Sequence, residues 1–223
     1  TVSLKIYWLF LGNISGVPPT EIVVIGSDKI AESAALTATR LGARVKVFSN
    51  SIFKLNKIQK LIGNPIYSST IQKKQLTKAL MRCDVAIGTI KSSTSSESVI
   101  TEDMVVKMKK GSIIIDVSID TGGTFQTSEL TNHDKPTFIK HDVIHYCVPN
   151  IPSRYSRTSS LCLSNIITPY LVKSVRFGSF ENFIRNNNSF KKGVYLYNGL
   201  NTNMIISQIL GIKYNDINNI IWD

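Results

Sequence analysis

Along the chain, short apolar runs alternate with stretches whose apolar residues recur every three or four positions. Glu21 to Ile25 (EIVVI) is an unbroken apolar run closed by Gly26, which predicts a buried strand. Ala31 to Leu41 predicts a helix whose small residues allow close packing on a sheet, stopped by Gly42. Arg44 to Phe48 is the second strand. Ser51 caps a helix that aligns Leu55, Ile58 and Leu61 on one face, and Gly63 ends it. Pro65 to Ser68 reads as a short third strand, Gln72 to Met81 as an amphipathic helix, and Asp84 to Ile90 as a fourth strand. A polar, Ser-rich loop follows at 91–98. Thr101 caps a helix around Met104 to Met108, with Glu102 and Asp103 in the first turn, where carboxylates suit the helix dipole. Ser112 to Val117 and Val143 to Val148 supply strands five and six.

Strand and helix alternating at this spacing means parallel strands joined by right-handed crossovers. Continuous Val/Ile runs are what a sheet covered on both faces requires. The expected fold is therefore α/β, a doubly wound parallel sheet of Rossmann-like type with six parallel strands. Beyond Pro152 the pattern changes. Ser156 to Arg176 predicts one long helix containing Pro169, and the tail from Phe177 is polar, helical or irregular, and too short for a domain of its own. The expected organisation is a sheet domain over 1–152, then a helical remainder of a second, incomplete domain over 153–223.

Composition narrows the class. With 43% hydrophobic and 18% charged residues in 223, the chain can bury a core. Three cysteines, at 83, 147 and 162, are too few and too scattered for a disulfide framework or a zinc site. No apolar run is long enough to cross a bilayer. The start, TVSLKIYWLFLG, has an apolar patch at Ile6 to Leu11 but no small-residue cleavage site, so no signal peptide is read and a reducing cytoplasm is expected. The first residue is Thr1, not Met, which raises the expectation of a removed upstream segment. The net charge of +11 invites a nucleic-acid reading. Yet the cations are dispersed without a run of five or six, no RNA-binding aromatic motif accompanies them, and Lys, Ile and Asn share AT-rich codons. Neither a nucleic acid nor a membrane is expected as partner.

Ligands of an open parallel sheet bind beyond the carboxyl ends of its strands. A dinucleotide turn there has the form Gly-x-Gly-x-x-Gly/Ala. In IGSDKIAESAA the first glycine is Gly26 and the last place is Ala31, but the middle place is Asp28, a bulky anion where a diphosphate should approach. Strand two should end in an acid that grips the adenosine ribose; it ends in Ser49. Arg44, Lys46 and Lys54 near this edge suit either a 2′-phosphate or, more commonly, plain solvated surface. Asp116 and Asp120 bracket the end of strand five in DVSIDTGG, and each is open to two roles, an acid/base group or an Asx-turn cap. His145 and Cys147, within an apolar strand, read as packed groups.

The segments LGNISGVPPTEIVVIG (11–26), CDVAIGTI (83–90), MKKGSIIIDVSIDTGGTFQTSELTNHDKPTF (108–138) and HYCVPNIPSRYSRTSSLCLSNIITPYL (145–171) resemble the cofactor domain of the alanine dehydrogenase family, which shares its fold with the NAD-binding part of nicotinamide nucleotide transhydrogenase. The resemblance makes 1–152 a dinucleotide-binding domain and implies NAD as cofactor. It implies Gly26, Ser27, Asp28, Lys29 and Ile30 as the pyrophosphate loop, and puts Ser49 where the family has aspartate. Lys54 and Ser68 would flank adenine and ribose. Gly88, Thr89 and Ile90 would line the nicotinamide ribose, Asn150 and Ile151 would meet the carboxamide region, and Asp120 would face nicotinamide and substrate as the catalytic carboxylate. The implied reaction is oxidation of L-alanine with water to pyruvate and ammonia, by a cytoplasmic homo-oligomer. The family builds its substrate domain mostly from residues ahead of the cofactor domain. None precede Thr1, so the expectation is a fragment or a decayed copy, inactive alone. The alternative is a non-catalytic subunit or interaction module with weak or no cofactor binding.

Overall fold

The computed structural model describes residues 11–12, 14–90 and 99–221. The Ser-rich loop at 91–98 and most of the apolar patch at the start lie outside them. The described residues form two compact units that divide between Arg154 and Tyr155.

In the first unit the chain runs through β1 (Glu21–Ile25), α1 (Lys29–Arg40), β2 (Arg44–Phe48), α2 (Ile52–Ile62), β3 (Tyr67–Ser69), α3 (Lys73–Leu80), β4 (Val85–Gly88), α4 (Glu102–Val105), β5 (Ile113–Asp116), β6 (Thr137–Lys140) and β7 (Val143–Tyr146). They make one seven-stranded sheet in the order β3-β2-β1-β4-β5-β7-β6. All neighbouring pairs are parallel except β6 with β7. The expected doubly wound Rossmann-like architecture is present. The alternation of strand side chains divides the core into two layers. Val23 and Ile25 pack with Leu76, Ala79 and Leu80 of α3 and Met104 and Val105 of α4. Ile22 and Val24 pack on the other face with Ala31, Ala35 and Ala38 of α1 and Leu55 and Ile58 of α2. Alanine on the inner face of α1 lets that helix lie close to the sheet.

Two differences from the sequence reading have local causes. The sheet carries a seventh, antiparallel strand, β6, where only six parallel strands were expected. TFIK is four residues long, and its link to β7 is a two-residue turn, His141 and Asp142, at φ +55° and +60°. Two left-handed residues make the tight hairpin that matches strand twist, but Asn-Gly usually signals it and His-Asp does not. The helix expected up to Met108 stops at Val105, one turn long.

In the second unit α5 (Ser156–Arg176) runs 21 residues with Pro169 inside it, as read from sequence. It precedes α6 (Phe180–Arg185), α7 (Asn188–Lys191), the β8 (Leu196–Tyr197) and β9 (Leu200–Asn201) pair, α8 (Met204–Leu210) and α9 (Ile217–Ile220). Its small core gathers Ile184, Ile217 and Ile221 under Phe190 and Tyr197. Among the described residues no helix is long and apolar enough to cross a membrane.

Candidate functional site

The strand order reverses between β1 and β4, because one crossover sequence leads outward through β2 and β3 and the other through β5. At such a switch point the loops leaving adjacent strands part company and open a crevice. A cleft of about 650 Å³ lies there, lined by Gly26, Ser27, Asp28, Ser49, Asn50, Ser51, Lys54, Ile71, Thr89 and Ile90. These come from the carboxyl ends of β1, β2 and β4 and the start of α2.

The turn after β1 is built for close approach. Gly26 sits at φ +133°, and a Cβ added to it would lie 2.1 Å from Thr89 Oγ1. Only glycine meets both conditions. Its amide donates to the Phe48 carbonyl at 2.8 Å, which fixes the β1 turn against β2. Two residues on, Asp28 is the N-cap of α1, and its Oδ1 accepts the Ala31 amide at 2.9 Å. The cap satisfies one of the open amides of the helix terminus, the groups that bind phosphate in this architecture. A dinucleotide therefore finds the stripped backbone it needs at Gly26. At α1 it meets a resident carboxylate, which has to swing aside or be bridged. The site fits a dinucleotide, with that cost.

Ser49 ends β2, 5% exposed. Its Oγ lies 2.6 Å from Ser27 Oγ and accepts the Ser51 amide at 3.3 Å. Ser51 in turn caps α2, its side chain accepting from the Lys54 amide. The first turn of α2 has no acidic residue, so this corner of the cleft is electropositive.

Not every residue named from sequence lines this cleft. Lys29 and Ile30 lie on the exposed side of α1, and Lys29 Nζ is 2.7 Å from Glu32 Oε2. Glu32 also meets Lys57 of α2 at 3.0 Å. These two lysine contacts hold its carboxyl below the usual range. Ser68 is within β3, its Cα paired with Val47. Gly88 is the last residue of β4 and is packed shut: an added Cβ would lie 2.5 Å from Thr124 Cβ. Asn150, at φ +53°, and Ile151 follow β7. Asp120 is exposed, in a single 3₁₀ turn at Ile119–Thr121 just beyond β5. It leaves the same carboxyl edge of the sheet as the cleft residues without lining the cleft.

Asp116 resolves to one of its two readings. It is fully buried, and its oxygens accept five hydrogen bonds. Oδ1 takes the Ser118 amide (3.1 Å) and hydroxyl (2.8 Å). Oδ2 takes the Thr124 amide (2.8 Å), the Phe125 amide (3.2 Å) and the Ser128 hydroxyl (2.7 Å). It is the hub that folds 117–128 back over β4. Sequence reasoning undervalued this role, although the run of Ser, Thr and Gly after Asp116 is the signal. His145 is buried under the Phe138 ring, with Nδ1 3.0 Å from the Val143 carbonyl and Nε2 2.8 Å from Thr127 Oγ1. Both nitrogens are satisfied in the neutral ring, and burial lowers its pKa. Burial pushes the Cys83 thiol up to about 12 and raises Cys147. All three groups are packed, as expected for His145 and Cys147. Among the described residues no group of three or more His, Cys, Asp or Glu side chains could hold a metal.

Comparison with known proteins agrees with this geometry. Residues 5–204 match the family model "Alanine dehydrogenase/PNT, C-terminal domain". Alanine dehydrogenase 2 of Staphylococcus aureus (strain USA300) is 33% identical over 211 residues, covering 94% of this chain and 56% of the relative. A solved L-alanine dehydrogenase superposes with a TM-score of 0.84 at 27% identity, over 91% of this chain and 56% of the other. Transhydrogenase from Sinorhizobium meliloti shares the fold, with a TM-score of 0.70 at 18% identity over 88% of this chain and 54% of the other. The chain thus spans 56% of the length of the curated relative. It belongs to the alanine dehydrogenase/PNT family, whose C-terminal, NAD(H)-binding domain it represents.

Proposed function

We propose that this chain provides the cofactor half of an NAD-dependent oxidoreductase of alanine dehydrogenase type, acting on L-alanine, water and NAD to give pyruvate, ammonia and NADH. The observation that carries the reading is the cleft at the β1/β4 switch point, opened by a turn that only Gly26 can make. NAD, when bound, supplies the hydride acceptor. The role of the chain is to hold it in a fixed pose. Gly26 and Ser27 let the diphosphate approach the backbone, Ser49 and Ser68 serve the adenosine ribose, and Lys54 flanks it. Thr89, Ile90, Asn150 and Ile151 are proposed to form the side toward the nicotinamide, with Gly88 behind them, letting Thr124 and Phe125 close on β4. Asp120, exposed at the sheet's carboxyl edge, is proposed to orient the substrate nitrogen or oxygen and to handle its proton. Groups that bind alanine or pyruvate are proposed to come from polypeptide outside this chain, in a homo-oligomeric assembly in the cytoplasm. Positioning of this kind can supply several powers of ten in rate. The isolated chain is therefore expected to bind NADH in calorimetric titration and to show no alanine-dependent absorbance change at 340 nm. Adding the missing polypeptide should restore turnover, which Asp120→Asn then removes. Turnover by the chain alone, or no NADH binding at millimolar concentration, would refute the proposal.

One observation favours a second reading, a non-catalytic subunit with little cofactor affinity: the Asp28 carboxylate already sits on the Ala31 amide at the N-terminus of α1. On that reading Asp28→Gly strengthens NADH binding from a barely measurable level, whereas on the first reading the parent chain already binds well.

A further inference from the structure

The adenosine corner of the cleft has lost the group that discriminates against a 2′-phosphate. In this architecture an acid at the end of β2 accepts the ribose hydroxyls and repels a phosphate placed on them, while a nearby cation admits one. Here the position is Ser49, neutral, with its Oγ 2.6 Å from Ser27 Oγ and accepting the Ser51 amide. The three cations near this edge are separated by the structure. Lys46 Nζ is held at 2.9 Å by Glu21, and Arg44 lies 3.5 Å from the same carboxylate, so both are turned to the amino end of β1. Lys54 lines the cleft and has no carboxylate partner among the described residues. With it stand Asn50 and Ser51, both polar, and the first turn of α2, free of acids. Among the described residues, the one anionic side chain lining the cleft, Asp28, belongs to the diphosphate end, where NAD and NADP are identical.

We infer that this cleft accepts 2′-phosphorylated dinucleotides, with Ser49 and Lys54 as the residues that set the choice between NADP(H) and NAD(H). The inference rests on the proposal that the cleft binds a dinucleotide. Ser49, being neutral, removes the repulsion. Lys54 supplies the charge, from an exposed first-turn position that leaves it able to follow the phosphate. The added affinity is electrostatic and so falls with ionic strength.

The test is titration of the whole chain with NADH and with NADPH, followed by nicotinamide fluorescence, at low and high salt. The parent chain is expected to bind NADPH at least as tightly as NADH. Lys54→Gln, on an exposed helix face, should lower the ratio of NADPH to NADH affinity about tenfold. Ser49→Asp should reverse the preference, and circular dichroism shows whether this buried replacement folds. A clear preference of the parent chain for NADH, or a ratio unmoved by Lys54→Gln, overturns the inference and leaves the cofactor cleft standing. Failure to bind either nucleotide overturns both.

Discussion

Asp116 offers the sharpest test of how the carboxyl edge of the sheet is held. Its two oxygens satisfy three backbone amides and two hydroxyls in a site with no exposure. In Asp116→Ala the Ser118 and Ser128 hydroxyls can rotate to other acceptors, but the amides of Ser118, Thr124 and Phe125 cannot. A buried, unmatched amide costs about 1–3 kcal/mol. Three of them, partly relieved by water entering the space vacated, give about 3–5 kcal/mol. That is a large share of the roughly 5–15 kcal/mol that holds a domain folded. Asp116→Asn separates charge from count. The amide oxygen can take the three Oδ2 donors, which leaves its NH₂ facing the Ser118 amide, one clash in place of three losses. The expected cost is about 1–3 kcal/mol. Urea midpoints read the difference, provided the slope is unchanged. Amide exchange at Thr124 and Phe125 reports whether the loss is local. A chain with Asp116→Asn within about 0.5 kcal/mol of the parent, or Ala no worse than Asn, would show that the loop is held by something else.

Three further outcomes are expected. Gly26→Ala combines a left-handed φ with a clash against Thr89, so it should abolish NADH binding and cost about 1–3 kcal/mol; Thr89→Gly should recover only part of that stability in denaturant titration. His145 has its pKa lowered from 6.5, so the unfolded chain takes the proton first. Stability contributed by the neutral ring is complete above about pH 6.5 and is lost as pH falls toward the lower folded value, by at most about 1.4 kcal/mol per pH unit; His145→Gln should flatten the fall in urea midpoint between pH 7.5 and 5.5, and an unchanged slope would refute it. Cys83 and Cys147 are buried with raised pKa values and Cys162 is exposed, so Ellman's reagent at pH 8 should report one fast thiol in the native chain and three in denaturant.

The centre of the sheet was legible because strands such as β1 and β5 are covered on both faces and therefore spell themselves as unbroken runs, EIVVI and SIIID. Helix limits were legible where a cap declares them: Ser51 and Gly63 bracket α2 on both sides. Asp28 was legible only in part: a sequence shows a carboxylate at a glycine place, while its work as a helix cap appears only with the Ala31 amide in view. The β6–β7 hairpin was missed because its turn spends two left-handed conformations on His141 and Asp142, residues that rarely advertise them. The cleft itself joins positions 26, 49, 54 and 89, which no local pattern connects. They meet because β1 stands between β2 and β4, a fact of topology.

The crowding at Gly88 has a consequence for how this chain can change. Its backbone would tolerate alanine, since it carries no left-handed φ; what forbids a methyl group is Thr124 Cβ at 2.5 Å and Phe125 Cε2 at 2.7 Å from where it would lie. The two places are therefore coupled: a methyl group at 88 requires Thr124 and Phe125 to give way. Trimming 124 and 125 first should make room for alanine at 88, whereas alanine at 88 in the parent should overpack this corner and cost stability.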